Sequence, residues 1–328
     1  MSMSGMRTPR IKARAGCDGL YHCMSRIVGG AFLLGPQEKE EFVRRMWHLA
    51  EFLEVEVLDY VVMSNHYHQL VRVTGVVEID NLQLLAKLKR YYGAGSREAR
   101  LFESALALGE TSAEALRQKY LRRIGKISEF EKILKQGFSS WYNRRQKRRG
   151  TLWMERFKSV LVEDTLDARS LLAAYIDLNP VRAEMVVDPK NYRFCGYGAA
   201  MGGDQRCRRG ILAVMGLTEW NGASARYRTL LMERGHVERA NKIGTVSREL
   251  LLETLKQGGQ LPLSELLRLR VRYFSDGLVL GTAAFVEDVF QQFRCHFGEK
   301  RQSGSRSIRG LSGSDLKVIR DLRIDPLS

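Results

Sequence analysis

The chain has 328 residues, and its 53 Lys and Arg against 37 Asp and Glu leave a formal net charge of +16. Such an excess suits a polyanionic partner, of which nucleic acid is the common one. No apolar run approaches the length of a bilayer span, and residues 1–14 lack the apolar stretch of a secretory signal, so a cytoplasmic, nucleoid-associated protein is expected. The cysteines at Cys17, Cys23, Cys195, Cys207 and Cys295 form no C-x-x-C pair. Reduced structural thiols are therefore expected, not a zinc ribbon or a redox motif.

A basic arm that carries Arg7 and Arg10 leads into residues 20–27, where apolar and β-prone residues predict a strand. Residues 38–53 place Phe42, Val43, Met46, Trp47, Leu49, Ala50 and Leu53 at helical spacing. Two β-rich runs follow, 55–63 and 66–73, with Ser64-Asn65 between them as a tight turn. Residues 82–92 return to helical spacing, and 102–133 form a charge-rich helical stretch broken near Gly109 and Gly125. That stretch looks like an insertion, at about 92–134. Residues 152–162 predict a further strand, and Asp164-Thr165 offers an N-cap for a helix that ends at Pro180.

The order β-α-β-β-α-β-α fits an α+β architecture, a small antiparallel sheet with helices on one face, and a ferredoxin-like sheet is its simplest member. Residues 1–200 are expected to form this domain. Residues 201–328 are expected to form a smaller, mainly helical region, with helices over 246–255, 263–271 and 283–297 and a flexible basic segment over 299–314.

In His66-Tyr67-His68 the histidines are one residue apart, so on a strand both imidazoles project from the same face. Two same-face imidazoles with a third polar ligand suit an open divalent-metal site. A bare H-x-H is a weak signal, since one histidine can sit on the surface and the other in the core. The apolar flanks Val61-Val62-Met63 and Leu70-Val71 make a buried strand, where imidazoles without partners are costly.

Along the helix before Pro180, Ala168, Leu171, Leu172 and Ile176 form an inward stripe that includes Tyr175. Asn179 follows one turn later and can present its amide oxygen beside the phenol. A phenol that cleaves a phosphodiester must lie in line with the phosphate, next to a cation that neutralises the developing charge. The same pattern also fits a core tyrosine whose hydroxyl is satisfied by a neighbour.

The stretch from Trp141 to Lys158 carries Arg144, Arg145, Lys147, Arg148, Arg149, Arg156 and Lys158, interleaved with Trp141, Tyr142, Trp153 and Phe157. Cations alternating with rings suit a single-strand groove, in which Trp153 would stack on a base and Arg7 and Arg10 of the arm would add phosphate contacts.

Taken in order, these pieces resemble the REP-associated tyrosine transposases, a branch of the single-tyrosine HUH endonucleases related to small insertion-sequence transposases. The resemblance runs through Leu20-Tyr21-His22-Cys23-Met24-Ser25-Arg26, Met63-Ser64-Asn65-His66-Tyr67-His68-Gln69-Leu70-Val71 and Trp141-Tyr142-Asn143-Arg144-Arg145. It continues through residues 150–159 and closes with Tyr175-Ile176-Asp177-Leu178-Asn179-Pro180-Val181-Arg182-Ala183. It spans roughly residues 7–200 and implies an HUH endonuclease fold, His66, His68 and Asn179 as metal ligands, and Tyr175 as nucleophile. It also implies Mg²⁺ or Mn²⁺ as cofactor, a 5′-phosphotyrosine intermediate, and single-stranded or hairpin DNA as partner, for a monomer or homodimer. The long 92–134 stretch departs from the family's usual linker, and the region after 200 has no assigned chemistry. A DNA-binding regulator without chemistry and a metal-dependent phosphodiester hydrolase remain alternatives.

Overall fold

In the computed structural model, residues 10–232, 274–275, 277–308 and 315–320 are described. A seven-stranded sheet runs in the order β2-β3-β1-β4-β5-β7-β6. Its first four strands are β1 (Gly19–Arg26), β2 (Val55–Val62), β3 (His66–Val73) and β4 (Lys158–Val162), paired antiparallel throughout. Beyond β4 the C-terminal part adds β5 (Gly277–Gly281), parallel to β4, then β7 (Lys317–Arg320) and β6 (Arg306–Ser307). The region expected to be a separate, mainly helical unit thus continues the same sheet. Its expected helices over 246–255 and 263–271 lie outside the described residues, and the third is observed as α11 (Ala283–Gln292).

The helices between β1 and β4 are α1 (Pro36–Leu53), α2 (Asn81–Tyr92), α3 (Arg97–Ala107), α4 (Glu110–Leu121) and α5 (Ile127–Arg145). Strand β3 is buried on both faces, so the expectation of helices on one face only is corrected. Tyr67 points toward α1 and α5, where its ring lies 4.7 Å from Phe42 and 5.4 Å from Trp153, and Phe42 lies 5.2 Å from Phe138. His68, one residue on, projects to the opposite face and meets α6 (Leu166–Asp177). An uncovered second face would leave Leu70 and Val160 in water, and both are fully buried.

The stretch expected to be an insertion breaks where predicted, at Gly109 (φ 111°) and Gly125 (φ 68°). α3 packs on α2 and α4 packs on α3 as a satellite, with Phe102 and Ala113 among its buried residues. α5, which begins inside the expected insertion, belongs to the core. The predicted strand 152–162 is shorter, because residues 152–157 only flank β1, with an isolated bridge between Ile27 and Trp153. Pro180 falls in the first turn of α7 (Asn179–Arg182), where its missing N–H is no loss.

Downstream, α8 (Gly196–Met201), α9 (Gln205–Met215) and α10 (Trp220–Met232) pack beside α6. A Cβ on Gly210 would lie 2.2 Å from the Leu58 carbonyl oxygen, so only glycine lets α9 approach β2 this closely. Part of the segment expected to be flexible is tied down, since the Ser303 hydroxyl and Gly304 amide donate to Glu287 and β6 pairs with β7. All five cysteines are free thiols, with Cys23, Cys195 and Cys207 buried. No helix among the described residues is long and apolar enough to cross a membrane.

A bulge in β2 sets Asp59 opposite Leu70, on the α6 face. Asp59 is buried beside Asp177, and its oxygens make no more than a marginal approach to the Tyr60 amide. Asp177 accepts from the Tyr197 amide (3.0 Å) and the Tyr227 hydroxyl (2.7 Å), and burial pushes it up to about 6. Burial and the neighbouring Asp177 hold Asp59 well above the usual carboxylate range. The folded state therefore keeps a proton that the unfolded chain releases near pH 4, and this contribution to stability falls as pH rises. Asp59→Asn removes it, so the melting temperature of the variant relative to wild type should climb between pH 5 and 8.5; a constant offset would show an ordinary carboxyl.

Candidate active site

His66 and His68 enter the site because β3 is extended there, and β1 lies beside it with Met24 opposite His68 and His22 opposite Leu70. His22, Met24, His66 and His68 consequently share one face. Thr165 caps the N-terminus of α6 by accepting from the Ala168 amide, and the buried stripe of that helix brings Tyr175 down on the histidines. The Tyr175 ring centroid lies 6.1 Å from those of both His22 and His68, edge-on in each case.

Met24, His66, His68 and Tyr175 line one cavity of about 440 Å³, with His22 buried behind it. His66, His68, Tyr175 and Asn179 contribute to its wall, with Arg26, Arg156, Lys158 and Arg182 as its cationic lining. The Arg182 guanidinium sits 4.2 Å from the centre of the Tyr175 ring and donates to the Tyr175 carbonyl oxygen at 2.6 Å. A positive charge over the phenol face is attracted by the ring and favours a developing phenolate. The Asn179 amide nitrogen donates to the Tyr175 and Ile176 carbonyls, both at 3.1 Å. Its oxygen is thereby the atom left to act as a ligand.

The histidines are held from behind. His66 Nδ1 lies 2.6 Å from Asn65 Oδ1, an oxygen that only accepts, so Nδ1 carries the proton. His68 Nδ1 lies 2.9 Å from His22 Nε2. Burial drives His22 down to about 4 and His68 well below the usual imidazole range, the latter helped by its His22 and His66 neighbours. Both are neutral at physiological pH, the form that binds metal.

On the opposite face, Tyr67 donates to the buried Glu131 at 2.5 Å, and burial pushes Glu131 up to about 7. Lys135 donates to Ser25 Oγ at 2.7 Å and to the Glu155 carbonyl at 2.8 Å, which ties α5 to two residues of the cavity wall.

The basic stretch divides. Arg156 and Lys158 line the cavity, whereas Arg144, Lys147 and Arg149 are exposed around the end of α5, outside the lining. Arg145 packs over Trp141 and faces Glu38, and Arg148 donates to the Thr151 carbonyl. Arg10 stacks on Phe157 at 3.7 Å, and Arg7 lies outside the described residues. Trp153 corrects its expected role. It is 7% exposed, wedged against Tyr67 and Phe138, and its indole N–H donates to the Lys135 carbonyl. Such a ring is a core residue and has no face to offer a base. Tyr142 and Phe157 are buried too, which leaves Trp141 as the half-exposed ring of the stretch.

Sequence reading missed four contributors. His22 gave a signal, a histidine in an apolar strand, but which neighbour it meets depends on strand register. Arg182 followed the tyrosine helix without any periodic signal. Phe274 and Ser275 come from the region without assigned chemistry, yet Phe274 packs its ring 5.1 Å from Tyr175 and Ser275 lines the cavity.

No protein-family model matches this chain, and no curated protein does. Among solved structures, the chain is similar to that of the REP-associated tyrosine transposase bound to a REP hairpin. The TM-score is 0.38 at 15% identity, covering 61% of this chain and 87% of that one. So distant a likeness assigns no residue a role.

Truncation separates the two kinds of residue in the basic stretch. Trp153→Ala should cost about 3–5 kcal/mol in urea unfolding because it empties a packed site. Arg156→Ala and Lys158→Ala should stay within about 0.5 kcal/mol of wild type. A Trp153→Ala protein of unchanged stability would contradict this packing.

Proposed function

We propose that this protein is a metal-dependent endonuclease and strand transferase of the HUH type, which acts on single-stranded or hairpin DNA through a 5′-phosphotyrosine at Tyr175. The observation that carries this reading is the convergence of Tyr175, His66, His68 and Asn179 on one cavity with a cationic lining. The ordered motifs support it, as does the antiparallel strand order β2-β3-β1-β4, which is that of a ferredoxin-like sheet.

The donor set fits a divalent cation. Two imidazoles with their Nδ1 atoms engaged and one amide oxygen would hold it, and Mg²⁺ or Mn²⁺ bound there would supply charge neutralisation at the scissile phosphate. None of the three ligands carries a negative charge. Among the described residues, Glu155 is the sole carboxylate in the lining, and it faces Lys158 at 3.6 Å. The phosphodiester itself therefore supplies the negative charge that makes cation binding favourable.

Arg156, Lys158 and Arg182 hold the phosphate by charge-assisted hydrogen bonds. The phenol oxygen of Tyr175 attacks phosphorus and forms the O–P bond as the bond to the 3′ oxygen breaks. The phenol proton passes to solvent, and the departing 3′ oxygen takes up a proton and leaves as a hydroxyl. Arg182, already over the ring, stabilises the phenolate as it develops. The energy of the broken phosphodiester is kept in the protein-linked ester, which a 3′ hydroxyl can attack to rejoin a strand.

A 5′-labelled and 3′-labelled hairpin oligonucleotide with a single-stranded flank tests the reading. Wild-type protein with Mn²⁺ should yield a denaturant-stable protein adduct on the 3′-side fragment and a free 3′ hydroxyl on the other. Tyr175→Phe should bind the oligonucleotide but give no adduct. Cleavage without an adduct would assign the chemistry to water, and binding without cleavage would leave a DNA-binding protein; either overturns the proposal. Calorimetry of Tyr175→Phe should also show Mn²⁺ bound at least tenfold more tightly with the oligonucleotide than without, since a phosphate close to the cation adds about 1.4 kcal/mol or more.

A further inference from the structure

His22 is fully buried, and both of its ring nitrogens are engaged. Nδ1 lies 2.6 Å from the Phe274 carbonyl oxygen and Nε2 lies 2.9 Å from His68 Nδ1. The two rings stack with centroids 5.0 Å apart and planes 25° from parallel. A carbonyl oxygen only accepts, so His22 Nδ1 must donate to it. In the neutral ring that leaves Nε2 with a lone pair. His68 Nδ1 must then carry its own proton and donate it to His22.

From this chain of donors we infer that His22 is a positioning residue, which fixes His68 in the tautomer that keeps Nε2 basic for a divalent cation in the cavity. The inference deepens the metal reading proposed above. Histidine ligands usually donate their second N–H to a carboxylate or carbonyl, and loss of that partner costs metal affinity. Here another imidazole takes that place, itself held by a backbone carbonyl from the C-terminal region. A carboxylate in the same position would add a negative charge to the wall where phosphate has to approach. A neutral imidazole orients His68 without that repulsion.

Long-range ¹H–¹⁵N correlation spectra of the histidine side chains in the metal-free, full-length protein read the tautomers directly. His68 in wild type should show a protonated Nδ1 and a bare Nε2. In His22→Phe, which keeps a ring but removes the acceptor, the proton should redistribute toward Nε2. Mn²⁺ affinity in the presence of the oligonucleotide, followed by the EPR signal of free Mn²⁺, should fall about 10- to 100-fold. His22→Gln, whose amide oxygen can accept from His68, should recover part of the loss. Circular dichroism confirms that each variant is folded, and the wild-type tautomer stands as a test that needs no variant.

A His68 protonated at Nε2 in wild type would overturn the inference. So would a folded His22→Phe with an unchanged tautomer and unchanged Mn²⁺ affinity. Failure of the metal reading looks different, because wild-type protein would then bind no Mn²⁺, and His66→Ala and His68→Ala would change nothing, whatever the tautomer.

Discussion

The constraint on which the site depends is the cost of burying imidazoles on an apolar sheet face. Three of them lie on that face, two of which, His22 and His68, are almost wholly removed from water. An unpartnered polar group there would cost a few kcal/mol. A line of hydrogen bonds runs from the Phe274 carbonyl through His22 to His68 and meets this cost. The line also fixes ring orientation, so satisfying the fold and orienting His68 are the same act. Strand register is what permits it, since a shift of one residue in β1 against β3 would send His22 to the other face.

The two faces of the sheet have different work. On the α1 and α5 side, Phe42, Tyr67, Phe138 and Trp153 form an aromatic core, with the Tyr67–Glu131 bond as its polar seam. On the α6 side, the apolar packing opens into a cavity at the histidines, while Asp59 of β2 and Asp177 at the end of α6 crowd together on the same face. Because Asp177 sits two residues after Tyr175, the bonds it accepts from Tyr197 and Tyr227 anchor the end of the helix that presents the phenol.

Much of this could be read before any coordinates. The paired histidines, the tyrosine helix and the early strand order follow from periods of 2 and 3.6 residues and from turn residues, all of which are local. What could not be read is non-local. The basic stretch shows why: composition marks Trp153 and Arg156 alike as DNA-facing, but the bridge to Ile27 turns the ring into the core and leaves the guanidinium at the cavity. Helices on both faces went unseen for a related reason, since β3 mixes histidines with apolar residues and masks how thoroughly its second side is buried. The C-terminal strands are short and lie far along the chain from β4, so no periodic signal tied them to the sheet.

That late-arriving part of the chain has a consequence for synthesis. β5 pairs with β4 across more than a hundred intervening residues, and just before it Ser275 lines the cavity while Phe274 packs on Tyr175. While the ribosome is still making the chain, the tyrosine and the histidine pair emerge long before the carbonyl that holds His22. A chain made only as far as β4 therefore holds its tyrosine and histidine pair in an unfinished pocket, which is completed once Phe274 and Ser275 have been added.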